Sequence, residues 1–180
     1  MNTYEYWLTF DEETKKELEA ITDKAEIEDR FYKELEFGTG GLRGIMGAGA
    51  NRMNKYTVSK ATKGLADYLN SSFEGEKSVA IAYDSRNNSR FFAEVSAGVL
   101  CGAGIRVYLF ETLMPTPVLS FAVRYHKCTA GIVITASHNP KEYNGYKVYD
   151  EMGCQLVPEF ADKVIACVNA VTDIKNIPCM

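Results

Sequence analysis

The 180 residues of this chain, 46% of them hydrophobic, are enough for one globular domain with an ordinary core. Its net charge of -4 argues against a nucleic-acid partner, which usually requires a basic face. No apolar run approaches the roughly 18 residues of a membrane span, and the acidic N-terminus is unlike a signal peptide, so we expect no membrane partner.

The chain contains five cysteines, an odd number, and no C-x-x-C spacing. This pattern disfavours both a metal site and a disulfide framework. We therefore expect reduced thiols in a cytosolic protein. The cysteines are Cys101, Cys128, Cys154, Cys167 and Cys179.

The first third of the chain predicts helices around a glycine-rich segment. Residues 11–37 begin with a capping aspartate and carry an apolar stripe, and Thr22-Asp23 divides this segment into two expected helices. Six glycines between positions 38 and 49 predict loop and short strand. A further helix is predicted over 54–71, with Asn54 as its cap.

Short apolar strands then alternate with helices, which predicts an α/β fold with a mixed, mostly parallel sheet and helices on both faces. The pair Asn144-Gly145 predicts a tight turn that makes the last strand an antiparallel neighbour. The expected strands are 79–83, 105–110, 130–135 and 145–150, and the expected helices are 91–104, 116–125 and 158–171.

Polar segments follow three of these strands. They are Asp84-Ser85-Arg86, residues 111–117 and the hexapeptide TASHNP at 135–140, which we call the serine loop. Ligands of open α/β sheets bind outside the carboxyl ends of the strands. We therefore expect the three segments to meet at one rim.

Ser137 in the serine loop allows three interpretations. The G-x-S-x-G pattern of a hydrolase nucleophile is absent, and neighbours in an extended loop point apart, so His138 is not expected to serve as its base. A serine that carries a phosphoryl group fits better, because that role needs exposure, N–H donors, cations and usually a metal. A simple strand-end turn remains an equal alternative.

The other polar residues are individually ambiguous. The segment GTGGLRG at 38–44 is neither a Walker loop nor a dinucleotide fingerprint, but its glycines suit a close approach to a phosphate beneath Arg43. A loose surface turn is the alternative. Asp84 and Arg86 can equally form a local ion pair, and Lys147 can be a solvated charge.

Together these motifs resemble the α-D-phosphohexomutase family, which includes phosphoglucomutases and phosphomannomutases. Four motifs carry the resemblance, and they fall in the family's order and spacing. They are FGTGGLRGIMGAGANRMN, YDSR, TASHNP and YNGYK, which begin at positions 37, 83, 135 and 143. The likeness covers nearly the whole chain and is greatest for the phosphoglucomutase and phosphopentomutase-like branch, which the N-terminal WLTFDEETKKEL also resembles. Gly40 and Gly41 stand where many members have serine or alanine variants.

The resemblance implies a three-layer first domain of a four-domain cytoplasmic enzyme of carbohydrate metabolism. Such an enzyme passes a phosphoryl group from a serine to a sugar monophosphate and takes the other phosphate back from the bisphosphate. The net reaction converts glucose 1-phosphate to glucose 6-phosphate, with Mg²⁺ as cofactor and glucose 1,6-bisphosphate as intermediate and activator. The alternatives are a phosphomannomutase or phosphopentomutase of the same family, or a non-catalytic sugar-phosphate-binding module.

The same resemblance assigns roles to individual residues. Ser137 is the phosphoryl carrier and, as phosphoserine, a Mg²⁺ ligand. The other assigned residues are Arg43, His138 and Lys147 beside the transferring group; Thr39, Asn139 and Arg43 in substrate and phosphate binding; and Asp84 and Arg86 as supports of the serine loop.

The chain departs from the family pattern in one respect. It contains no D-x-D-x-D-R-like metal loop, so we expect the remaining metal ligands to lie outside it, in domains II–IV. The expected organisation is N-terminal helices over about 1–37 and an α/β core over about 38–175. We expect the 180-residue polypeptide alone to fold but to be inactive as a mutase.

Overall fold

The computed structural model describes residues 2–38 and 40–180, and within them six strands form one mixed sheet. The strands are β1 (Phe37–Gly38), β2 (Gly41–Ile45), β3 (Ser78–Tyr83), β4 (Arg106–Leu109), β5 (Ala130–Ile134) and β6 (Tyr143–Tyr149). The helices are α1 (Thr3–Trp7), α2 (Glu12–Glu19), α3 (Lys24–Phe31), α4 (Lys55–Ser72), α5 (Ser89–Gly102), α6 (Thr116–Tyr125) and α7 (Pro158–Ala170).

The sheet order is β1-β2-β6-β5-β3-β4. Strand β3 pairs in parallel with β4 and β5, whereas β5–β6, β2–β6 and β1–β2 are antiparallel. The mixed α/β sheet agrees with the sequence, but parallel pairing is limited to one half of it. The reason is that β5 and β6 are joined by a short loop rather than by a crossover helix, so β6 runs back beside β5.

Helices cover both faces of the sheet. Val79, Ile81 and Tyr83 pack in the core with α4, α5 and α7, whereas Ala80 and Ala82 pack with residues of α6 on the opposite face. Strand β3 is therefore apolar at successive positions, as expected for a strand buried on both sides. Strand β5 is also fully buried, and its parallel pairing with β3 brings both carboxyl ends to one edge.

The N-terminal segment is divided as predicted but ends earlier. Asp23 begins α3 by accepting a hydrogen bond from the Ala25 N–H at 2.9 Å. The prediction of helix to residue 37 is wrong, because α3 ends at Phe31 and Phe37 pairs with Leu42 in the sheet. Burial of Phe37 in the core outweighs the helical propensity of the residues before it.

The N-terminal helices pack against the segment that follows β2. Trp7 and Leu18 form a buried cluster with Ala48. Glu17 accepts a hydrogen bond from the Ala48 N–H at 2.9 Å, and Arg30 donates to the Ala48 carbonyl at 2.8 Å. Since Glu17 and Arg30 also pair with each other at 2.6 Å, two different helices hold one residue of this segment.

The predicted turn at Asn144-Gly145 is wrong. Both residues lie inside β6, where Asn144 pairs with Gly44 and Gly145 pairs with Arg43. A Cβ at Gly145 would lie 2.4 Å from the Thr135 carbonyl oxygen, so glycine serves a close backbone contact there. The antiparallel direction of the last strand is confirmed, although this pair does not create it.

The remaining boundaries differ from the predicted ones by at most two residues. Asn54 caps α4 as expected, with its Oδ1 accepting from the Thr57 N–H at 3.1 Å. All five cysteines are free. Among the described helices, none has the length and apolar character needed to cross a membrane.

Candidate functional site

The three polar segments meet at the edge where β3 and β5 end. The Asp84 N–H donates to the Ile134 carbonyl at 3.1 Å, which joins the end of β3 to the start of the serine loop. The Tyr83 hydroxyl donates to the Glu111 carbonyl, and the Met114 N–H donates to the Tyr83 carbonyl, both at 2.9 Å. The rim expected from the sequence therefore exists.

Ser137 lies exposed on this rim in a left-handed backbone conformation, with φ at 56°. Its N–H donates to the Thr135 hydroxyl at 3.0 Å, and the Asn139 N–H donates to the Ala136 carbonyl at 3.1 Å. A non-glycine residue in this conformation costs about 1–3 kcal/mol and persists only where its surroundings hold it. The serine loop is therefore a constrained turn.

His138 lies closer to Ser137 than an extended loop would allow. The Ser137 Oγ is 3.4 Å from the His138 Nδ1, so the expectation that the two side chains point apart is wrong. The positive φ of Ser137 turns the chain and brings both side chains to the same side. At this distance the contact is weak, but it leaves the imidazole beside the hydroxyl.

Arg86 donates to four carbonyl groups, three of them in the serine loop and one at the first residue of β6. Its Nη2 donates to the Ser137 carbonyl at 2.7 Å and to the Asn139 carbonyl at 2.6 Å. Its Nη1 donates to the Pro140 carbonyl at 2.9 Å and to the Tyr143 carbonyl at 3.1 Å. The planar guanidinium thus fixes both ends of the turn, which is more than a local ion pair would do.

Asp84 orients Arg86 and connects it to residues that the sequence did not reveal. Its Oδ1 accepts from the Arg86 N–H at 3.0 Å and from the Ser89 hydroxyl at 2.7 Å. Asn144 Nδ2 in turn donates to the Ser89 Oγ at 2.9 Å. Ser89 and Asn144 are 55 positions apart, and no spacing pattern in the sequence links them.

Arg43 and Lys147 bring two cations to one face of the sheet. Their neighbours Leu42 and Tyr146 pair with each other and point into the core, so alternation places Arg43 and Lys147 on the opposite face. Partial burial lowers the pKa of Lys147, and the charge of Arg43 lowers it further. The pair therefore forms a locally positive surface on the strands beside the serine loop.

Gly41 permits a close approach between the strands that carry these cations. Its φ is 93°, and a Cβ would lie 2.0 Å from the Tyr146 carbonyl oxygen and 3.0 Å from Lys147 Cα. This position belongs to β2 and not to a loose surface turn. A glycine here is a structural requirement of the β2–β6 pair.

Asn139 and Thr39 are also predicted to bind phosphate, and the structure describes only Asn139. Asn139 is half-buried, and its Oδ1 has no hydrogen-bond partner among residues 2–38 and 40–180. Thr39 lies outside the described residues.

The metal ligands available in the described part of the chain are few. It contains no group of three or more His, Cys, Asp or Glu residues that could hold a metal ion. Mg²⁺ takes near-octahedral oxygen coordination and often keeps several waters. The Ser137 hydroxyl or its phosphate is the oxygen ligand that the serine loop could offer to such an ion.

The fold and the rim place the chain among α/β/α domains that present a clamped serine loop at the carboxyl ends of the strands. Residues 34–175 match the family model described as phosphoglucomutase/phosphomannomutase, alpha/beta/alpha domain I. The chain belongs to this family.

Phosphoglucomutases from two staphylococci are among its relatives. The one from Staphylococcus epidermidis ATCC 12228 is 47% identical over 151 residues, which cover 83% of this chain and 28% of the relative. The one from Staphylococcus aureus MRSA252 is 47% identical over 152 residues, which cover 83% of this chain and 27% of the relative. The chain thus spans just over a quarter of the length of these proteins.

Solved structures support the fold. A Thermus thermophilus protein, described provisionally as a phosphomannomutase, matches with a TM-score of 0.69 and 35% identity over 74% of this chain and 30% of that one. The open form of the Paramecium exocytosis-sensitive phosphoprotein pp63/parafusin, a phosphoglucomutase, matches with a TM-score of 0.61 and 25% identity over 77% of this chain and 26% of that one.

Proposed function

We propose that residues 1–180 form the first domain of a phosphohexomutase and that Ser137 carries its phosphoryl group. The phosphoryl group leaves the Ser137 Oγ for the C6 hydroxyl of glucose 1-phosphate, which gives glucose 1,6-bisphosphate and a free serine hydroxyl. After the bisphosphate reorients, its C1 phosphoryl group returns to Ser137 and glucose 6-phosphate departs. In each step the phosphoryl group passes from one oxygen to another, and at the end of the cycle the enzyme again carries its phosphate on Ser137.

The observation that carries this proposal is the geometry of the serine loop. Ser137 is exposed, held in a left-handed conformation and tied through its carbonyl to Arg86 at 2.7 Å. A phosphoryl carrier must present its oxygen to an incoming sugar in a fixed position, because phosphoryl transfer depends mostly on positioning and charge. An ordinary strand-end turn has no need of an arginine bonded to three of its carbonyls and to the start of the next strand.

Arg43 and Lys147 supply the charge that this chemistry needs. A phosphoserine carries roughly −1.5 to −2 charges near neutral pH, and the transferring group spreads charge over its equatorial oxygens. Two cations on the neighbouring strands are suited to stabilise that charge. The lowered pKa of Lys147 also makes its ammonium group a stronger acid than that of an ordinary lysine, so Lys147 is a candidate for proton transfer.

His138 is the second candidate for proton transfer. When the sugar hydroxyl attacks, it must lose its proton. The phosphoryl group moves between the Ser137 oxygen and the sugar, and the His138 imidazole lies 3.4 Å from that oxygen. We assign phosphate binding to Asn139 and Thr39 together with Arg43. Asp84 and Arg86 position the loop.

The rest of the active site is proposed to come from domains II–IV. Mg²⁺ would bind one oxygen of phosphorylated Ser137 and ligands from those domains, and would neutralise charge on the transferring group. The staphylococcal relatives favour glucose phosphate as substrate, whereas the family description also names phosphomannomutases. We propose a cytoplasmic location, in accord with five free thiols.

The test uses the full-length polypeptide that carries this domain. After incubation with glucose 1,6-bisphosphate and Mg²⁺, peptide mass spectrometry should find phosphate on the peptide with Ser137, and Ser137→Ala should lose both this phosphate and mutase turnover. Rates with glucose 1-phosphate, mannose 1-phosphate and ribose 1-phosphate identify the sugar. Folded protein without phosphate on this peptide would overturn the proposal in favour of a non-catalytic module.

The 180-residue chain is the second arm of that test. Because the proposed site draws its other ligands and its sugar contacts from domains II–IV, we expect the chain to fold without mutase turnover. Turnover equal to that of the full-length polypeptide would show that the proposed division of the site between domains is wrong.

A further inference from the structure

Ser89 and Asn144 lie behind the serine loop, and each is completely buried. Ser89 is the first residue of α5, and Asn144 is in β6. Asn144 Nδ2 donates to the Ser89 Oγ at 2.9 Å and to the Asn87 carbonyl at 3.0 Å, while its Oδ1 accepts from the Gly145 N–H at 2.8 Å. The hydrogen-bonding groups of this amide are therefore used, and it cannot turn without breaking buried bonds.

From this pair a chain of hydrogen bonds leads to the serine loop and returns. The Ser89 hydroxyl donates to Asp84 Oδ1, which also accepts from the Arg86 N–H. The Arg86 guanidinium donates to the serine loop and to the carbonyl of Tyr143, the residue before Asn144. The contacts thus form a closed ring that joins the start of α5, the end of β3 and the start of β6.

We propose that Ser89 and Asn144 are positioning residues that set the place of the Ser137 hydroxyl through Asp84 and Arg86, an inference that rests on the proposed phosphoryl transfer. Neither residue touches the reacting atoms. Their effect is to hold the Asp84 carboxylate, which accepts from the Arg86 backbone N–H and lies 3.5 Å from Nε of the guanidinium bonded to the loop. Because the ring closes on β6, it also relates Ser137 to the strand that carries Lys147.

Two features distinguish this role from ordinary core stabilisation. First, Ser137 has a left-handed backbone, a conformation that persists only where the surroundings over-determine it. Second, Ser89 and Asn144 are fully shielded from water, so a lost hydrogen bond cannot be replaced by solvent and the strain passes to the remaining ring members. The serine loop is the exposed member of the ring, so a broken ring bond would displace it before the buried members.

The chain offers a matched control in Ser96. It is also a fully buried serine of α5, but its hydroxyl donates to the Phe92 carbonyl of the same helix at 2.7 Å. Ser89→Ala and Ser96→Ala therefore each remove one buried hydroxyl from one helix, and only Ser89→Ala opens the ring. A difference in rate between the two variants therefore measures the effect of opening the ring and not the effect of losing a core hydrogen bond.

The experiment measures kcat, KM and the rate of Ser137 phosphorylation by glucose 1,6-bisphosphate in the full-length polypeptide. We expect Ser89→Ala to lower kcat and the phosphorylation rate about tenfold, with KM changed less than about twofold, because misplacement of the reacting oxygen weakens the transition state. Ser96→Ala should keep both rates. Equal rates in the two variants would overturn the inference.

A double-mutant cycle with Arg86→Lys tests the route. If Ser89 acts through Arg86, the second substitution adds little to the loss caused by the first, whereas fully multiplicative losses overturn this route. Should Ser89→Ala fail to fold, Ser89→Cys replaces it, and a loss no greater than that of Ser96→Cys contradicts the inference. An inactive parent, or an active Ser137→Ala, instead refutes the proposed function itself.

Discussion

The guanidinium of Arg86 is bonded to the carbonyl of Ser137 at 2.7 Å, although the two residues are 51 positions apart. The bond joins the segment after β3 to the serine loop after β5, and two further carbonyls of this loop share the guanidinium with the carbonyl of Tyr143. An exposed hydroxyl is thereby fixed from its backbone side, so its oxygen is free for chemistry.

The first prediction concerns this bond. Arg86→Lys keeps the positive charge but loses the planar fork, so one ammonium cannot reach carbonyls on both sides of the turn. We expect the rate of Ser137 phosphorylation in the full-length polypeptide to fall at least about tenfold. Arg90→Lys is the control, since Arg90 is an exposed arginine four residues later that pairs with Glu94. Equal rates for the two variants would remove Arg86 from the positioning role.

The second prediction concerns the two cations. Partial burial and the charge of Arg43 both lower the pKa of Lys147, so Arg43→Gln should raise that pKa toward the ordinary lysine value. The pH at which Lys147 becomes reactive toward reductive methylation, followed by peptide mass spectrometry, should then shift upward. The exposed Lys141 serves as an internal control in the same digest. An unchanged profile would mean that the two charges do not interact.

The third prediction concerns Gly41. Alanine there combines a left-handed φ of 93° with a Cβ 2.0 Å from the Tyr146 carbonyl, so we expect Gly41→Ala to lower the free energy of unfolding by about 3 kcal/mol or more. Gly75→Ala has a similar φ of 74° with nothing within 4 Å of the added Cβ, and isolates the backbone term. Urea unfolding of both variants measures the difference, and equal losses would disprove the close contact.

The fourth prediction concerns acid stability at the N-terminus. Burial raises the pKa of Asp11, but hydrogen bonds from Thr14, Tyr56 and Lys55 outweigh it, and the net pKa lies well below the ordinary value. A carboxylate with a depressed pKa stabilises the fold at pH values above its unfolded-state pKa of about 3.9. This stabilisation disappears as the pH falls through the folded-state pKa.

Asp11→Asn should therefore lower the free energy of unfolding by about 1 kcal/mol at neutral pH, after allowance for solvent screening. The difference from the parent should shrink as the pH falls below about 4. Asp23→Asn at the start of α3 is the control, because asparagine caps a helix as well as aspartate does. A loss that is constant from neutral to acid pH would contradict the charge-based explanation.

Much of the fold follows from local patterns. The apolar run of β3, the cap at Asn54 and the alternation of strands with helices predict elements whose bounds differ little from those observed. The predictions from sequence fail where a contact with a distant residue determines the local conformation. Phe37 enters a strand because Leu42 pairs with it, and Asn144-Gly145 stays extended because β2 and the serine loop lie on either side.

For this protein, the sequence alone determined the α/β class, the family resemblance and the rim residues, since these depend on periodicity and on motifs of adjacent residues. Only the tertiary structure decided the left-handed turn at Ser137, the clamp by Arg86 and the buried ring through Ser89 and Asn144. Such contacts join residues more than 50 positions apart, and hydrogen-bond geometry at that separation is set by how the sheet packs rather than by any local pattern.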